Sequence, residues 1–335
     1  MKLTMSKIYK HSIKIVFAVV VGLLLAIPSV NAFSISPALV EISLDRGATN
    51  TGVISVASTE DHDASYEVSF QNFVAKGEEG QQDFVADNAI FNDIDWIVPQ
   101  TGSITIEKGG RVDLSYVLTI PKDARPGGHY VAMFVSQKKE SGEIGTGASI
   151  RSKIGVLFLI RVNGDIDEKL DIESFRVVQH ENVLNRLPVL FETRFKNSGN
   201  VHLKPSGDIV IKNVFGRIAG VTPLNPRGSS VLSNSIRRTE SEWTKGSEGV
   251  EAAGLLKEIV NEWKNFAIGP YTGTIVGYYG ESNQPLSDQI RFWVFPWHLI
   301  LAAILLVAAM MVINGIYRRS LIRMALKRSS KETKS

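Results

Sequence analysis

Few side chains in this sequence have the type and spacing that catalysis requires. The chain has 335 residues and no cysteine, which excludes thiol nucleophiles and cysteine metal sites. Its histidines never occur in the His-Glu-x-x-His spacing of zinc proteases; they are His11, His62, His129, His180, His202 and His298. His129 follows two glycines at the start of a predicted strand, so we interpret it as a strand-end residue. With no phosphate-binding glycine loop and no Gly-x-Ser-x-Gly motif, the sequence predicts no catalytic residue, no cofactor and no enzyme.

One acidic cluster has the oxygen ligands that calcium prefers. Asp87, Asn92, Asp93 and Asp95 lie within nine residues, directly before Trp96. Their spacing matches no EF-hand loop, and acidic loops between strands are usually solvated. The remaining carboxylates are too scattered to nominate a glycosidase pair. We therefore predict no metal site.

The elements that would position any site are β-strands. From Phe33 onward, apolar and polar residues alternate with a period of two, most clearly over 66–71 and 111–120. Such alternation is typical of antiparallel strands that have one buried and one solvated face. Glycine-containing turns separate these strands at short intervals. The pattern predicts an all-β chain of two tandem immunoglobulin-like β-sandwiches, over 33–164 and 165–292, stabilised without disulfides.

One segment departs from the β pattern. Over about 250–267, apolar residues recur at steps of three and four, which predicts an amphipathic helix inserted in the second sandwich. We expect this helix to pack on its own domain, with Leu256, Ile259 and Trp263 inward. Lys257, Glu258, Glu262 and Lys264 would then point outward. The alternative is a helix that docks a partner or the outer leaflet.

A long uncharged stretch lies near the end of the chain. Residues 293–317 carry no formal charge, and at 1.5 Å per residue they exceed the roughly 30 Å of a bilayer core. Trp293 and Trp297 stand at one border and Tyr317 at the other, which is typical of membrane interfaces. Arg318 and Arg319 open a basic tail, 318–335, with seven basic residues and one acid. The sequence predicts a single transmembrane helix with a cytoplasmic tail.

The start of the chain has the features of a secretory signal peptide. Four lysines precede an apolar run of 13 residues, and a small-residue site ends at Ala32. We predict cleavage between Ala32 and Phe33, so that 1–32 is removed; an uncleaved second anchor is the alternative. In both cases the middle of the chain is extracytoplasmic; with the signal peptide cleaved, the protein is a single-pass cell-membrane protein.

Net charge argues against one class of partner. The whole chain has a formal charge of +3, but residues 33–292 contain 26 basic and 33 acidic residues. Nucleic-acid binding requires clustered Lys and Arg, so we predict no nucleic-acid partner. The basic tail can contact anionic lipid at the inner leaflet.

Several motifs together resemble a known family. They are Phe33–Pro37, Ile104–Gly109 leading into the strand to Ile120, and Pro126–Tyr130. They are similar to the peptidoglycan-binding immunoglobulin-like domain of WxL-interacting proteins of bacterial surfaces, over roughly 33–137. Those proteins also combine a signal peptide, two sandwiches, one span and a short basic tail. The second half departs from the family, looking more like an adhesion-type sandwich at Phe195–His202, and no family binding residue is carried over.

The function expected from these features is binding. We expect a non-catalytic, membrane-anchored surface protein that binds cell-wall polymer such as peptidoglycan, or another cell-surface protein. The alternative is an extracytoplasmic chaperone or assembly factor that captures a partner strand at a sheet edge.

Overall fold

The architecture is described by a computed structural model, which covers residues 33–85, 93–138, 153–178, 183–184, 186–245 and 255–332. Ala32, and with it the predicted cleavage site, lies outside these residues, as do His11, His180, Asp87 and Asn92. Phe33 is the first residue of a strand, and its ring lies 5.0 Å from that of Tyr66.

The first sandwich consists of two facing sheets. Its strands are β1 Phe33–Ser36, β2 Leu39–Leu44, β3 Thr49–Ser58, β4 Ala64–Lys76, β5 Gln81–Val85, β6 Ile97–Pro99, β7 Ser103–Ile106, β8 Arg111–Thr119, β9 Gly127–Gln137 and β10 Lys153–Val162. One sheet has the order β1-β3-β8-β6, and the other has β2-β10-β9-β4-β5, with β7 also paired to β4. β2 runs parallel to β10, whereas the other pairs in this sandwich are antiparallel.

The period-two pattern in this sandwich reflects burial on one face. Leu114, Tyr116 and Leu118 of β8 all lie in the core between the sheets, and Tyr116 is only 5% exposed. Its ring contacts Phe158 of the opposite sheet, with 5.1 Å between the ring centroids. The burial expected for this face of the strand is therefore confirmed.

The second sandwich repeats the plan with fewer strands. These are β11 Leu170–Val177, β12 Val183–Leu184, β13 Val189–Asn197, β14 Ser206–Asn213, β15 Ile218–Pro223, β16 Ser235–Trp243, β17 Gly269–Tyr279 and β18 Gln284–Val294. A three-stranded sheet, β11-β13-β16, faces a five-stranded sheet, β12-β18-β17-β14-β15. Trp243, Phe191 and Phe292 fill the centre of its core. The predicted pair of immunoglobulin-like sandwiches is confirmed.

The inserted helix exists, but its orientation differs from our prediction. Helix α1 spans Leu255–Lys264. Trp263, which we expected to face inward, is 71% exposed, whereas Glu262, which we expected to face outward, is 1% exposed. The partner of Glu262 is polar: its carboxylate lies 2.6 Å from Nδ1 of His298 and accepts a hydrogen bond from the backbone N–H of Leu299 at 2.8 Å. We had assigned apolar side chains to the buried face. That assignment was wrong because α1 packs against the N-terminus of α2, where a backbone N–H and a histidine favour a buried carboxylate.

The C-terminal helix begins later than predicted. Helix α2 spans Trp297–Glu332, whereas Trp293 belongs to β18 and is 53% exposed. The chain continues past Tyr317 through Arg318 and Arg319 as the same helix. Within it, the segment Trp297–Arg323 contains an 18-residue stretch with a mean hydropathy of 2.7, none of which is buried. Among the described residues it is the one helix long and apolar enough to cross a membrane.

Candidate binding groove between the two sandwiches

Two sequence motifs from different sandwiches meet at the domain junction. The backbone N–H of Gly128 donates a hydrogen bond to the carbonyl oxygen of Asn200, 2.8 Å away. Gly127, at the start of β9, has a φ of +125°, which side-chain-bearing residues rarely adopt. A Cβ at this position would lie 2.6 Å from the Asn200 carbonyl oxygen. The close approach of the two backbones therefore depends on glycine.

Aromatic side chains extend the contact between these motifs. The ring of Tyr130 lies 5.8 Å from that of His202, and its hydroxyl oxygen accepts a hydrogen bond from the backbone N–H of Ser233 at 3.1 Å. Burial raises the pKa of Tyr130 and lowers the pKa of His202 to about 4. At neutral pH both rings are therefore uncharged.

The β4–β5 hairpin braces the second sandwich from the side. Its turn carries Glu78, which accepts a hydrogen bond from Nε of Arg194 at 2.7 Å, and Glu79, which pairs with Arg238 at 2.8 Å. The carbonyl oxygen of Glu78 also accepts from the backbone N–H of Arg238 at 2.8 Å. The hydrogen bond from Arg194 lowers the pKa of Glu78.

A second brace lies on the other side of the junction. The carboxylate of Glu41, in β2, accepts hydrogen bonds from Lys204 and from the hydroxyl of Ser230, both at 2.7 Å. Partial burial raises the pKa of Glu41, but these two hydrogen bonds outweigh it and leave the pKa lowered. With contacts on both sides, the two sandwiches are held in one relative orientation.

Between the braces lies a groove of about 540 Å³. Its walls come from both sandwiches, namely Asn72, Phe73, Val74, Ala75, Val85, Asp93, Arg125, Pro126, Gly128, His129, Tyr130, Asn200, Leu232, Ser233 and Asn234. The volume is within the range of small-molecule sites, which occur preferentially at domain interfaces. We refer to this feature as the interdomain groove.

One wall of the interdomain groove is a buried Asp–His pair. Asp93 lies in a short 3₁₀ turn, Asp93–Trp96, and its Oδ2 is 3.0 Å from Nδ1 of His129. Nε2 of His129 lies 2.9 Å from the carbonyl oxygen of Arg125, and the ring centroid lies 4.5 Å from that of Trp96, with the two rings tilted by 47°. Since a carbonyl oxygen can only accept, Nε2 carries a proton. Both ring nitrogens are thus engaged, which suits a structural pair that fixes the start of β9.

The groove offers mixed hydrogen-bonding groups beside aromatic surface. The amide of Asn234 and the hydroxyl of Ser233 can each donate and accept, while Phe73 and Tyr130, 3% and 8% exposed, form the aromatic part of the lining. Asn234 is exposed, and with a φ of +53° it holds the left-handed conformation that Asn tolerates better than most residues. The lining suits a neutral ligand that carries many hydroxyl or amide groups.

The side chain of Asn200 has a structural task. Its Oδ1 accepts a hydrogen bond from the backbone N–H of Asp167 at 2.9 Å, and its Nδ2 donates to the carbonyl oxygen of Asp165 at 3.0 Å. Both partners belong to the segment that links the sandwiches. Asn200 therefore positions the groove.

Comparisons with known proteins find resemblance in structure only. No family model matches the chain, and no curated protein matches it. Among solved structures, the class 5 fimbriae chaperone CfaA has 12% identity and a TM-score of 0.36, covering 77% of this chain and 98% of its own. The E. coli chaperone DraB has 8% identity, a TM-score of 0.34, and coverages of 79% and 97%. The CsuC–CsuE complex of Acinetobacter baumannii has 13% identity, a TM-score of 0.33, and coverages of 78% and 97%.

These TM-scores indicate a distant likeness, and the fold described above rests on the strand pairing itself. Since no family model matches the chain, the resemblance to WxL-interacting proteins stays a prediction.

The predicted site residues have different positions in the structure. Asp93 does not join a metal cluster, since among the described residues no group of three or more potential ligands could hold an ion. His129 lies at the start of β9, as we interpreted it, but no sequence pattern indicated its pairing with Asp93. Arg318 and Arg319 follow the apolar run on α2. The sequence drew attention to Pro126–Tyr130 and Phe195–His202 separately, without any sign that they meet.

Proposed function

We propose that this chain is a non-catalytic, membrane-anchored, extracytoplasmic protein that binds cell-wall polymer in the interdomain groove. The observation that carries the proposal is the groove itself, which is lined from both sandwiches and held by braces on either side. A polymer that entered it would contact both domains at once.

The chemistry of the lining favours a polymer rich in hydroxyl and amide groups. Each sugar hydroxyl both donates and accepts hydrogen bonds, and the side chains of Asn234 and Ser233 do the same. The rings of Phe73 and Tyr130, 3% and 8% exposed, form the apolar part of the lining beside these polar groups. Peptidoglycan has both hydroxyl and amide groups along its length, and it is also the ligand that the sequence resemblance implies.

Membrane anchorage is supported by helix α2. Its uncharged stretch, 297–317, is about 32 Å long at 1.5 Å per residue, which matches the roughly 30 Å hydrocarbon core. Arg318, Arg319 and Arg323 lie at its C-terminal end, so the positive-inside rule directs that end to the cytoplasm. Both sandwiches then lie outside the cytoplasm, where wall polymer is found.

Sedimentation with insoluble wall material tests this function. The full chain in mild detergent is mixed with purified peptidoglycan sacculi, and the pellet is assayed for protein. We expect the folded chain to sediment with the sacculi and to be released by soluble peptidoglycan fragments. A chain that stays in the supernatant at all wall concentrations would contradict the proposal.

A second candidate function has its own structural support. β2 pairs with residues Leu157–Val162 of β10, and among the described strands Lys153–Val156 pair only with β9. The free side of this segment is a sheet edge, which an extended peptide can join through main-chain hydrogen bonds. A photo-crosslinking residue placed at Lys153 would trap such a peptide in cells, whereas the same residue at exposed Val53 of β3 serves as control. A specific polypeptide adduct at 153 together with no wall sedimentation would favour this candidate.

A further inference from the structure

The strand register brings three segments of the second sandwich to one end. The last residue of β14, Asn213, pairs with Tyr271 of β17, and Tyr271 pairs with Phe292 of β18. Helix α2 begins at Trp297, five residues after Phe292. The β14–β15 turn, the start of β17 and the end of β18 therefore all lie at the end of the sheet from which α2 emerges.

This end exposes large apolar side chains. In the β14–β15 turn, Phe215 is 82% exposed, and others follow at α1 and at the end of β18. We define the apolar rim as these exposed residues: Val214, Phe215, Ile218, Trp263, Phe266, Ile268, Trp293 and Phe295. An exposed apolar patch of this size on a soluble domain marks an interaction surface.

Helix α1 is fixed at this end by its contact with α2. The Glu262 carboxylate accepts the N–H of Leu299 and contacts His298, both in the first turn of α2. With Glu262 buried, the next residue, Trp263, is directed away from the protein. The exposure of Trp263 is thus a consequence of how the helix is attached.

Cationic side chains flank the apolar rim. Lys212 and Arg217 lie on either side of the β14–β15 turn, and Lys264 is the last residue of α1. All three are exposed. Aromatic side chains next to lysine and arginine are the composition of protein surfaces that rest in lipid headgroups.

We infer that the apolar rim is seated in the headgroup layer of the bilayer that α2 crosses. This inference rests on the proposed membrane anchorage. Lipid is the occupant because the rim lies at the end of the sheet from which the apolar helix emerges, so a helix that enters the bilayer brings the rim to the bilayer surface. Tryptophan and phenylalanine at that level bury apolar area while the flanking cations reach lipid phosphates.

Contact of the apolar rim with the bilayer gives the two sandwiches a defined orientation relative to the membrane. At the opposite end of the sheet, Glu281 in the β17–β18 turn pairs with Arg161 of the first sandwich at 3.3 Å. β17 has 11 residues, so the two ends are roughly 35 Å apart at 3.2–3.4 Å per residue. The first sandwich and the interdomain groove are thereby held away from the lipid and toward the wall.

Because the chain has no cysteine, single spin labels can test the seat. Phe215→Cys and Trp263→Cys place labels on the apolar rim, Val307→Cys places one in the middle of α2, and Val53→Cys places one on the first sandwich. All four positions are exposed in the protein, so folding is preserved. The full chain is reconstituted in liposomes of mixed neutral and anionic lipid, and collision rates with a water-soluble nickel chelate and with oxygen are measured by electron paramagnetic resonance.

We expect severalfold lower nickel collision rates at positions 215 and 263 than at 53, with high oxygen collision rates at 307. If the nickel collision rates at 215 and 263 equal the rate at 53, while the label at 307 lies in lipid, the apolar rim does not contact the bilayer, and the membrane anchorage is unaffected. A nickel collision rate at 307 equal to that at 53 would contradict both the contact of the rim with lipid and the membrane anchorage. Rim protection found only in native membranes, and lost in liposomes of the purified chain, would assign the rim to a protein partner and overturn the lipid seat.

Discussion

Gly128 in the first sandwich and Asn200 in the second are joined by a backbone hydrogen bond, with 2.8 Å between nitrogen and oxygen. The bond connects two motifs that lie far apart in sequence and brings one sandwich directly against the other. The interdomain groove depends on this contact, because its walls come from both domains. Changes that separate the two backbones should therefore affect stability and ligand binding together.

The first prediction concerns Gly127. Alanine there would have to adopt a φ of +125° with its Cβ 2.6 Å from the Asn200 carbonyl oxygen, so we expect Gly127→Ala to lower the thermal midpoint clearly. Gly109→Ala is the matched control, since Gly109 also has a positive φ but a Cβ there would meet no atom within 4 Å. The control should lose only the roughly 1–2 kcal/mol of a left-handed alanine. Equal losses in the two variants would contradict a close domain contact at this point.

The second prediction concerns pH. Burial holds the pKa of His202 at about 4 in the folded protein, against 6.5 when exposed. Between these values the unfolded chain binds more protons, so stability is complete above pH 6.5 and is lost as pH falls toward 4. The loss amounts to at most about 3 kcal/mol, at 1.36 kcal/mol per pKa unit.

His202→Gln removes this titration while keeping a polar side chain of similar size. The thermal midpoint of the variant, followed from pH 7 to pH 4, should fall less steeply than that of the unchanged chain. The His202 ring proton shifts in nuclear magnetic resonance should also titrate near pH 4. Identical pH profiles for both proteins would show that His202 is solvated and the junction open.

Sequence patterns predicted which face of the strands is buried, but they did not predict which face of α1 is buried. Alternation over 111–120 indicated one buried face, and Tyr116 lies on that face, because a sandwich has one apolar interior and one solvated exterior. At α1 the same reasoning assigned Trp263 to the interior and Glu262 to solvent, and both assignments were wrong. Helix α1 packs on the N-terminus of α2, where the Leu299 N–H and His298 bind the carboxylate of Glu262 and so stabilise its burial.

The third prediction follows from that arrangement. Trp263→Ala removes an exposed side chain, so the thermal midpoint in detergent should change little. Glu262→Ala leaves the Leu299 N–H and His298 without their acceptor, so amide hydrogen exchange over 255–264 and 297–300 should accelerate. A large loss of stability in Trp263→Ala, with unchanged exchange in Glu262→Ala, would reinstate the inward-facing tryptophan.

The interdomain groove could not be predicted from the sequence, because its walls come from segments that are distant in the chain. Its walls combine β4, the start of β9 and the Leu232–Asn234 turn, which meet only when two sandwiches dock. Asn234 lies in a polar stretch with no periodic pattern, and an asparagine in a turn is ordinarily explained by backbone conformation alone. Only the relative placement of the domains distinguishes it from other turn residues.

The most direct test of wall binding compares two asparagine-to-glycine changes. Asn234 in the groove and Asn283 in the distant β17–β18 turn both have positive φ, 53° and 51°, which glycine accepts without strain. The affinity of the full chain for soluble peptidoglycan fragments is measured by titration calorimetry. We predict that Asn234→Gly binds roughly ten-fold more weakly, as expected for the loss of one or two hydrogen bonds, and that Asn283→Gly binds like the unchanged chain. Equal affinity in all three proteins, or no binding by any, would contradict the assignment of the groove.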